Sequence, residues 1–291
     1  MEVRAMRLMI PAMVAAATAA TALAIATVPQ AGKGQVASPV ATVAVNPGSF
    51  DFRLPGEYLK ADWPVDAPKQ KVSFRRGFDM MKYQVSFGDY SACVDDGVCE
   101  APDGMRQLAE TPVTGVSYRD ATAYAAWLSK KTGESWRLPT DEEWAFAAAE
   151  RLQDDALGLP QDTANPAARW LARYAAEAGT ETRDAEPKPR GHFGENSKGL
   201  ADVAGNVWDW TTTCYRRATV DARGKITRST ENCGVRVLGG RHRSYMSHFI
   251  RDGKSGGCAA GLAPDNLGIR LIRDRPTFVS AVRQLWTRTM G

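Results

Sequence analysis

The chain has 291 residues, of which 44% are hydrophobic and 24% charged, and its formal net charge is +4. The hydrophobic fraction is that of ordinary soluble proteins, which excludes a wholly disordered chain and a multi-span membrane protein. So small a charge surplus, without any block rich in lysine and arginine, also argues against a nucleic-acid binder. The length by itself allows two domains.

The N-terminus predicts export. Arg4 and Arg7 precede an uncharged run over residues 8–28, which is the order of charge and apolarity found in secretory signals. Cleavage sites of the A-x-A type are provided by Ala22, Ala24 and Ala26. The alternative is an uncleaved N-terminal anchor, because a run of about 20 uncharged residues can span a bilayer. In either case we expect the rest of the chain to be exported, to the periplasm if the source is bacterial, with no other membrane contact.

The next segments predict a linker followed by short strands. Residues 29–47 are rich in Pro, Gly, Ala and Val and predict a linker. Lys71–Phe78 and Met80–Phe87 carry the β-branched and aromatic mixture that is typical of short strands.

Two helices have clear start signals. Ser117 is a suitable N-cap for a first helix that ends at Gly133. Apolar residues recur along it at helical spacing, at Ala121, Tyr124, Ala125 and Leu128. Thr140 and Glu143 form the pattern of a capping box for a second helix. One face of that helix carries Trp144, Ala147 and Ala148.

The C-terminal half is less regular. Residues 152–199 are polar and irregular and predict little regular structure, whereas residues 276–291 carry apolar side chains at helical spacing and predict an amphipathic tail. The whole pattern indicates an α+β fold with many loops.

Export makes disulfide bonds plausible for the five cysteines. Cys93 and Cys99 bracket a short loop, and Cys214 and Cys233 bracket a polar, glycine-containing segment. We predict these two disulfides, although five cysteines permit other pairings. Cys258 is then left over, either as a buried free thiol or as a reactive or metal-binding thiolate.

Four segments in a fixed order resemble one known family. They are Pro112–Tyr118, Arg137–Trp144, Gly199–Trp210, and Val237–Gly240 with its continuation at Asn266–Arg270. Together they resemble the sulfatase-modifying-factor domain, which is the domain of formylglycine-generating enzymes. The same domain occurs in ergothioneine sulfoxide synthases and in accessory proteins of nitrite-reductase and pyoverdine gene clusters. The resemblance implies a variant of the C-type-lectin-like α+β fold, with little regular secondary structure, as one domain over residues 48–275.

The third segment contains a candidate calcium site. Carboxylates at Asp202 and Asp209, with main-chain carbonyls at Gly205 and Val207, provide the hard oxygen ligands that calcium prefers. The resemblance implies a structural calcium at these positions. The alternative is a calcium-free turn held by Asx hydrogen bonds.

Four large side chains in the motifs favour structural roles. Arg137 and Arg270 lie among apolar neighbours, which predicts buried ion pairs rather than catalysis. Trp208 and Trp210 are expected in the core rather than as a substrate platform.

The segment after Gly239–Gly240 departs from the family. Formylglycine-generating enzymes carry a serine and then two copper-binding cysteines five residues apart. Aligned on the glycines, this chain has Arg241, Ser244 and Phe249 instead. A phenylalanine cannot ligate copper and a serine hydroxyl is a poor ligand for it, so we expect no formylglycine generation by the copper mechanism. The ergothioneine-type reaction is not expected either, because the chain contains only three histidines.

The same segment suggests a different copper site. In an extended strand His242, Ser244, Met246 and His248 would face one side, because side chains alternate with a period of two. Two imidazoles and a thioether suit copper. The alternative is that both histidines are ordinary hydrogen-bonding residues that line a cleft.

Cations near this segment suggest a protein partner with an acidic group. The four cations are Arg241, Arg243, Arg251 and Lys254. The candidate catalytic residues of the same cleft are Arg241, His242, Ser244, Tyr245 and His248.

The resemblance therefore implies an exported maturation or accessory factor that acts on a client protein, with oxidative modification as one form of that role. The alternative is a non-catalytic binding module of the same fold that presents the cleft rich in arginine and histidine to a partner.

Overall fold

The computed structural model describes residues 39–104, 107–159, 165–178, 186–254 and 266–275. The strands in these residues are β1 (Thr42–Val45), β2 (Gly48–Arg53), β3 (Glu57–Lys60), β4 (Trp63–Val65), β5 (Lys69–Phe74), β6 (Phe78–Met81), β7 (Trp136–Arg137), β8 (Trp208–Val220), β9 (Ile226–Gly239), β10 (Ser244–Ser247), β11 (Leu267–Gly268) and β12 (Ile272–Arg273). The helices are α1 (Phe87–Asp95), α2 (Tyr118–Thr132), α3 (Asp141–Ala148) and α4 (Pro166–Ala178), with a 3-10 turn at Ala149–Arg151. This mixture confirms the predicted α+β class.

The strands combine into sheets that join distant parts of the chain. The largest sheet has the order β10-β9-β8-β3-β4, with β11 parallel to β8, and a second has the order β1-β6-β12-β7. β2 and β5 form a separate antiparallel pair. Because β11 lies beside the start of β8, with Leu267 opposite Trp208, the end of the fourth sequence motif meets the third. By their contacts, the described residues all lie in one unit of the chain.

Both predicted helices are confirmed, with their caps. The hydroxyl of Ser117 accepts the Asp120 N–H at the start of α2, and Gly133 ends that helix in the left-handed conformation at φ 71°. Thr140 and Glu143 form the capping box that starts α3. None of the helices in the described ranges is long and apolar enough to cross a membrane.

The paired glycines at the end of β9 allow two indole rings to pack against the backbone. A Cβ on Gly239 would lie 2.3 Å from the Trp144 ring, and one on Gly240 would lie 2.2 Å from the Trp208 ring. Both rings are buried, as is Trp210. The prediction that Trp208 and Trp210 belong to the core is therefore confirmed.

Three predictions about the N-terminal half need correction. The last part of the predicted linker, residues 29–47, forms β1, which pairs antiparallel with β6 and so belongs to the folded unit. The predicted strand Lys71–Phe78 is confirmed only up to Phe74, where β5 ends. The predicted strand Met80–Phe87 is wrong after Met81, because the hydroxyl of Ser86 caps the next helix, α1.

The region predicted to be irregular, residues 152–199, contains α4. This helix was missed although Trp170, Leu171 and Tyr174 recur at helical spacing among its alanines, which was an available signal. Its side chains at Leu171 and Tyr174 are exposed.

Both predicted disulfides are present. Cys93–Cys99 joins α1 to the loop that follows it, and Cys214–Cys233 joins β8 to β9. The predicted signal or anchor (residues 1–28), the C-terminal tail (276–291) and Cys258 lie outside the described residues.

Candidate functional site

Strand β10 carries the segment that departs from the family pattern. It lies at one end of the strand order of its sheet, paired with β9. Alternation along the strand buries Ser244 and Met246 and puts Tyr245 on the other face. Because β10 spans only four residues, this alternation does not extend to His242 or His248. Of the four side chains predicted to face one side of a strand, only Ser244 and Met246 therefore share a face of β10.

Both ring nitrogens of His248 are engaged. Nε2 lies 2.9 Å from Nη2 of Arg119, and Nδ1 lies 3.0 Å from the carbonyl oxygen of Gly234. A guanidinium can only donate, so Nε2 accepts and the protonated Nδ1 donates to Gly234. Two contacts thus hold the His248 ring in place.

His242 lies in the turn before β10. Its ring contacts the Trp208 ring edge to face, with the centroids 5.5 Å apart, and Nδ1 lies 3.1 Å from the carbonyl oxygen of Arg243. No cluster of three or more His, Cys, Asp or Glu side chains that could hold a metal exists among the described residues. These contacts favour the hydrogen-bonding alternative for both histidines over copper ligation.

Arg243 is an internal cation. Its side chain is only 8% exposed, with Nε 3.0 Å from Asp141 and Nη1 2.9 Å from Asp155. Burial raises the pKa of Asp141 to about 6, although the positive charge of Arg243 opposes the shift. The Tyr245 hydroxyl accepts the Gly56 N–H at 2.7 Å, and burial raises its pKa well above the ordinary value. Tyr245 therefore joins β10 to the turn before β3, and Arg243 joins the start of β10 to α3 and the segment that follows it.

Arg251 is also tied to carboxylates of its own chain. The three carboxylates are those of Glu100, Asp103 and Asp120. Asp120 belongs to the first turn of α2, so Arg251 anchors the start of that helix. In the part of the chain that the structure describes, neither Arg241 nor Lys254 forms an ion pair. Of the four cations predicted to hold a partner's acidic group, two are thus already neutralised within the fold.

The predicted calcium ligand Asp209 is surrounded by N–H donors. Oδ1 accepts from Nε2 of Gln84 at 2.8 Å, and Oδ2 accepts from Nε1 of Trp144 at 2.9 Å. Arg270 forms a buried ion pair with the same carboxylate, with Nε 3.2 Å from Oδ2. Gln84 also donates to the carbonyl of Val207, a second predicted ligand, at 2.9 Å. The amide nitrogen thus contacts two of the oxygens that calcium would need.

The other acidic ligand is engaged in a different loop. The carboxylate of Asp202 accepts the N–H groups of Gly191 and Phe193 at 2.5 and 2.8 Å. The N–H of Gly205 donates to the carbonyl of Asp202 at 3.1 Å, which closes a turn. Calcium needs six or more oxygen ligands that are free to coordinate it. The carboxylates of Asp202 and Asp209 already accept N–H groups of the chain, and Asp209 is also paired with Arg270, so these contacts favour the calcium-free turn.

Both motif arginines form structural ion pairs, but only that of Arg270 is buried as predicted, because the Arg137 side chain is 36% exposed. Arg270 is fully buried, and its guanidinium also donates to carbonyl oxygens of Met81, Lys82 and Ala201. Arg137 bridges Glu143 and Asp274. Every N–H-bearing nitrogen of Arg270 therefore has a partner within the fold, which leaves none for a substrate.

Sequence patterns missed three polar groups that shape this region. Arg119 supports His248, Gln84 contacts the motif carboxylate Asp209, and Arg236 lies beside the disulfide sulfur of Cys214. The only available signal for Arg236 was its position three residues after Cys233. Strand pairing, which a sequence does not show, places it opposite Cys214.

Comparison with known proteins agrees with this architecture. The family model described as "Sulfatase-modifying factor enzyme 1-like domain" matches residues 27–275. A curated protein of Thermomonospora curvata, "Formylglycine-generating enzyme", is 30% identical over 250 residues, which cover 76% of this chain and 79% of that protein. The bovine "Inactive C-alpha-formylglycine-generating enzyme 2" is 32% identical over 169 residues. That match covers 57% of this chain and 52% of the bovine protein, so the chain spans about half of that relative's length.

A solved structure shows the same fold. PvdO from Pseudomonas aeruginosa superposes with a TM-score of 0.52 at 22% identity, over 80% of this chain and 94% of that chain. Because the family model matches residues 27–275, the chain belongs to the sulfatase-modifying factor enzyme 1-like domain family.

Proposed function

We propose that the protein is an exported maturation or accessory factor that acts on a partner protein without copper–thiolate chemistry. The proposal rests on the residue types and the burial at the two positions where formylglycine-generating enzymes have cysteines. Ser244 is buried in the core side of β10, whereas Phe249 is 61% exposed. Neither side chain provides a thiolate, and only Phe249 is accessible to a partner.

Two further observations support the proposal. The two disulfides are typical of exported proteins. A bovine relative carries the name "Inactive C-alpha-formylglycine-generating enzyme 2", so the family includes a member that is described as inactive. Retention of the fold around an altered cysteine segment is consistent with a role that depends on binding a client.

The first test asks whether any copper-dependent chemistry remains. The purified full chain would be incubated with Cu(I), oxygen and a synthetic cysteine peptide of the sulfatase type, with the Thermomonospora curvata relative as the positive control. We expect no change in peptide mass with this chain. Formation of the aldehyde would overturn the proposal, because it would show that the missing cysteine pair is not required.

The second test identifies the partner. A photo-cross-linking residue would be placed at Phe249 and, as a matched control, at the exposed Leu108. We expect one exported protein to be captured at position 249 and not at 108. We also expect the mass or the activity of that protein to change in a strain that lacks this chain. Capture without preference for position 249 would contradict the proposal.

A non-catalytic binding module is the second candidate. It is favoured by the internal hydrogen bonds of Tyr245 and His248, which leave these candidate catalytic groups occupied. A stoichiometric partner whose covalent structure is the same with and without this protein would select the module over the modifying factor.

A further inference from the structure

The disulfide Cys214–Cys233 differs from the other disulfide in its surroundings. Cys233 is exposed, and Cys214 is half-buried. Both sulfur-bearing residues of the other disulfide, Cys93 and Cys99, are buried, at 0% and 7% exposure. A thiolate from outside the protein attacks a disulfide only where a sulfur is accessible. The surface position of Cys233 permits such an attack.

The exposed cysteine lies in an interruption of the strand pairing. Cys214 is opposite Arg236, but the next paired residues are Tyr215 and Asn232, so residues 233–235 of β9 bulge out between them. Such bulges re-aim side chains at the edges of regular pairing. Here the bulge presents Cys233 at the surface while Cys214 stays within β8.

Arg236 places a positive charge against the less accessible sulfur. Its Nη1 lies 3.1 Å from Sγ of Cys214 and also donates to the carbonyl of Thr212 at 2.5 Å. Its guanidinium carbon lies 4.4 Å from the centre of the Tyr118 ring. Nε is buried and has no hydrogen-bond partner. Among the residues that the structure describes, no Asp or Glu forms an ion pair with Arg236.

This arrangement stabilises the reduced form of the pair, in which Cys214 and Cys233 are free thiols. In the oxidised state the guanidinium contacts a neutral sulfur, whereas opening of the disulfide would give it a thiolate at the same position. A nearby arginine lowers the pKa of a cysteine thiol and makes the sulfur a better leaving group. A disulfide whose reduced form is stabilised in this way is a stronger oxidant.

We propose that Cys214–Cys233 is a redox-active disulfide that oxidises cysteine thiols of a polypeptide substrate. A substrate thiolate attacks Sγ of Cys233, the bond between Cys214 and Cys233 breaks, and its electron pair remains on Cys214 as a thiolate beside Arg236. A second substrate thiolate then attacks the substrate sulfur of the mixed disulfide and releases Cys233. The substrate dithiol loses two electrons and becomes a disulfide, and the protein gains them as a dithiol. A small-molecule disulfide such as glutathione disulfide restores the oxidised protein.

The surface around the bulge fits a polypeptide with an apolar residue near its cysteine. His248 contacts the bulge through two hydrogen bonds to the carbonyl of Gly234, one from its backbone N–H at 2.9 Å and one from Nδ1 at 3.0 Å. The exposed ring of Phe249 follows, with its centre 5.6 Å from that of His248. Phe249 therefore provides exposed apolar contact area next to the residue that contacts the bulge.

The first experiment compares the two disulfides within one molecule. The full chain carrying Cys258→Ser, which removes the fifth thiol, would be equilibrated with glutathione redox buffers. Free thiols would be alkylated, and the reduced fraction of each disulfide would be measured by mass spectrometry. We expect Cys214–Cys233 to open in buffers at least tenfold less reducing than those that open Cys93–Cys99, a difference of about 30 mV or more. If both disulfides open in the same glutathione buffer, the proposal is overturned, and this result needs no substitution at Cys214, Cys233 or Arg236.

The second experiment tests the role of Arg236. Arg236→Gln should shift the opening of Cys214–Cys233 by about tenfold toward more reducing buffers, whereas Arg236→Lys should retain most of the wild-type behaviour. In both variants the buried Cys93–Cys99 disulfide reports whether the fold is intact. If Arg236→Gln folds and opens at the wild-type ratio, the disulfide is only a structural link between β8 and β9.

The third experiment tests the polypeptide substrate with a reduced synthetic peptide that contains two cysteines and an apolar neighbour. We expect the protein to oxidise it faster than an equal concentration of glutathione disulfide does. Phe249→Ala should slow this reaction several-fold and leave the reaction with glutathione unchanged. Equal loss of both reactions, or no advantage over glutathione disulfide, would contradict the assignment of a polypeptide substrate.

Discussion

The side-chain amide of Gln84 donates a hydrogen bond to the carboxylate of Asp209 at 2.8 Å, and both residues are buried. The same amide nitrogen donates to the carbonyl of Val207 at 2.9 Å. A neutral N–H donor thus contacts two oxygens that the resemblance assigns to calcium. Together with the ion pair between Arg270 and Asp209, it compensates the buried negative charge without a metal ion.

This relationship predicts stability that does not depend on calcium. The unfolding temperature should differ by less than about 1 °C between EDTA and millimolar calcium. A calcium ion that bound only the folded state would raise the unfolding temperature, and we expect no such binding. Gln84→Glu replaces the donor with a second carboxylate of the same shape. It should destabilise the protein in EDTA by about 2–4 kcal/mol and make the unfolding temperature sensitive to calcium.

The matched control is Gln70→Glu, which adds the same charge at an exposed position. Its unfolding temperature should stay close to that of the wild type with and without calcium. A rise of several degrees on adding calcium to the wild-type protein would show that the predicted calcium site exists after all.

The close approach of Trp208 to Gly240 predicts that one methyl group added at position 240 lowers the stability of the protein. In Gly240→Ala the new Cβ would lie 2.2 Å from the indole, so the ring or the end of β9 must move. We expect a loss of about 1–3 kcal/mol in the free energy of unfolding, measured by urea denaturation. Arg241→Ala, at the next residue, should change it by less than about 0.5 kcal/mol. Trp208→Phe combined with Gly240→Ala should not cost the sum of the single changes, and strict additivity would contradict the steric explanation.

Asp141 predicts a specific dependence of stability on pH. Its pKa is about 6 in the fold, mainly because of burial, against an ordinary value of 3.8. Between these values the folded carboxyl is protonated while the unfolded one is ionised, so the folded state binds more protons and stability falls as pH rises. The contribution should decline from about pH 4 and be fully lost above about pH 6, by on the order of 2–3 kcal/mol.

The measurement is the difference in unfolding free energy between wild type and Asp141→Asn from pH 4 to pH 7.5. We expect the variant to gain stability relative to the wild type as pH rises through this window. Glu142→Gln, which removes the same charge from the same turn of α3, is the control. A difference that is independent of pH would show that the carboxyl of Asp141 does not titrate in this range.

The contacts of His248 predict the outcome of a copper titration. Because one ring nitrogen accepts from Arg119 and the other donates to Gly234, ligation would require the loss of a hydrogen bond. We expect His242→Ala and His248→Ala to bind as much copper as the wild type, measured by competition with a chromogenic chelator. One tightly bound equivalent that disappears in both variants would support the copper site instead.

Local sequence signals were sufficient for several elements. Ser117 and Thr140 start their helices because each cap bonds to a backbone N–H only three residues away. The strand predicted through Phe87 was wrong for the same physical reason, since Ser86 is also a cap and its partner Asp89 is equally near. The cap at Ser86 was therefore a readable signal, and the β-branched and aromatic composition of the segment concealed it.

The candidate site was predicted only in part. The sequence by itself determined the family and the replacement of the paired cysteines by Ser244 and Phe249, because these follow from residue identity and order. It favoured the two disulfides by their spacing but left other pairings open. It did not show that Ser244 would be buried and Phe249 exposed, since that depends on the pairing of β10 with β9.

Only the tertiary structure decided which groups neutralise one another. Gln84 meets Asp209 across 125 positions of sequence, and Arg236 meets Cys214 across 22. Neither contact has a local periodicity, because strand pairing and packing, rather than spacing along the chain, bring the atoms within hydrogen-bond distance. The sequence thus identified Asp209 and Cys214 as candidate functional residues. Only the fold determined that the amide of Gln84 contacts Asp209 and that Arg236 contacts Cys214.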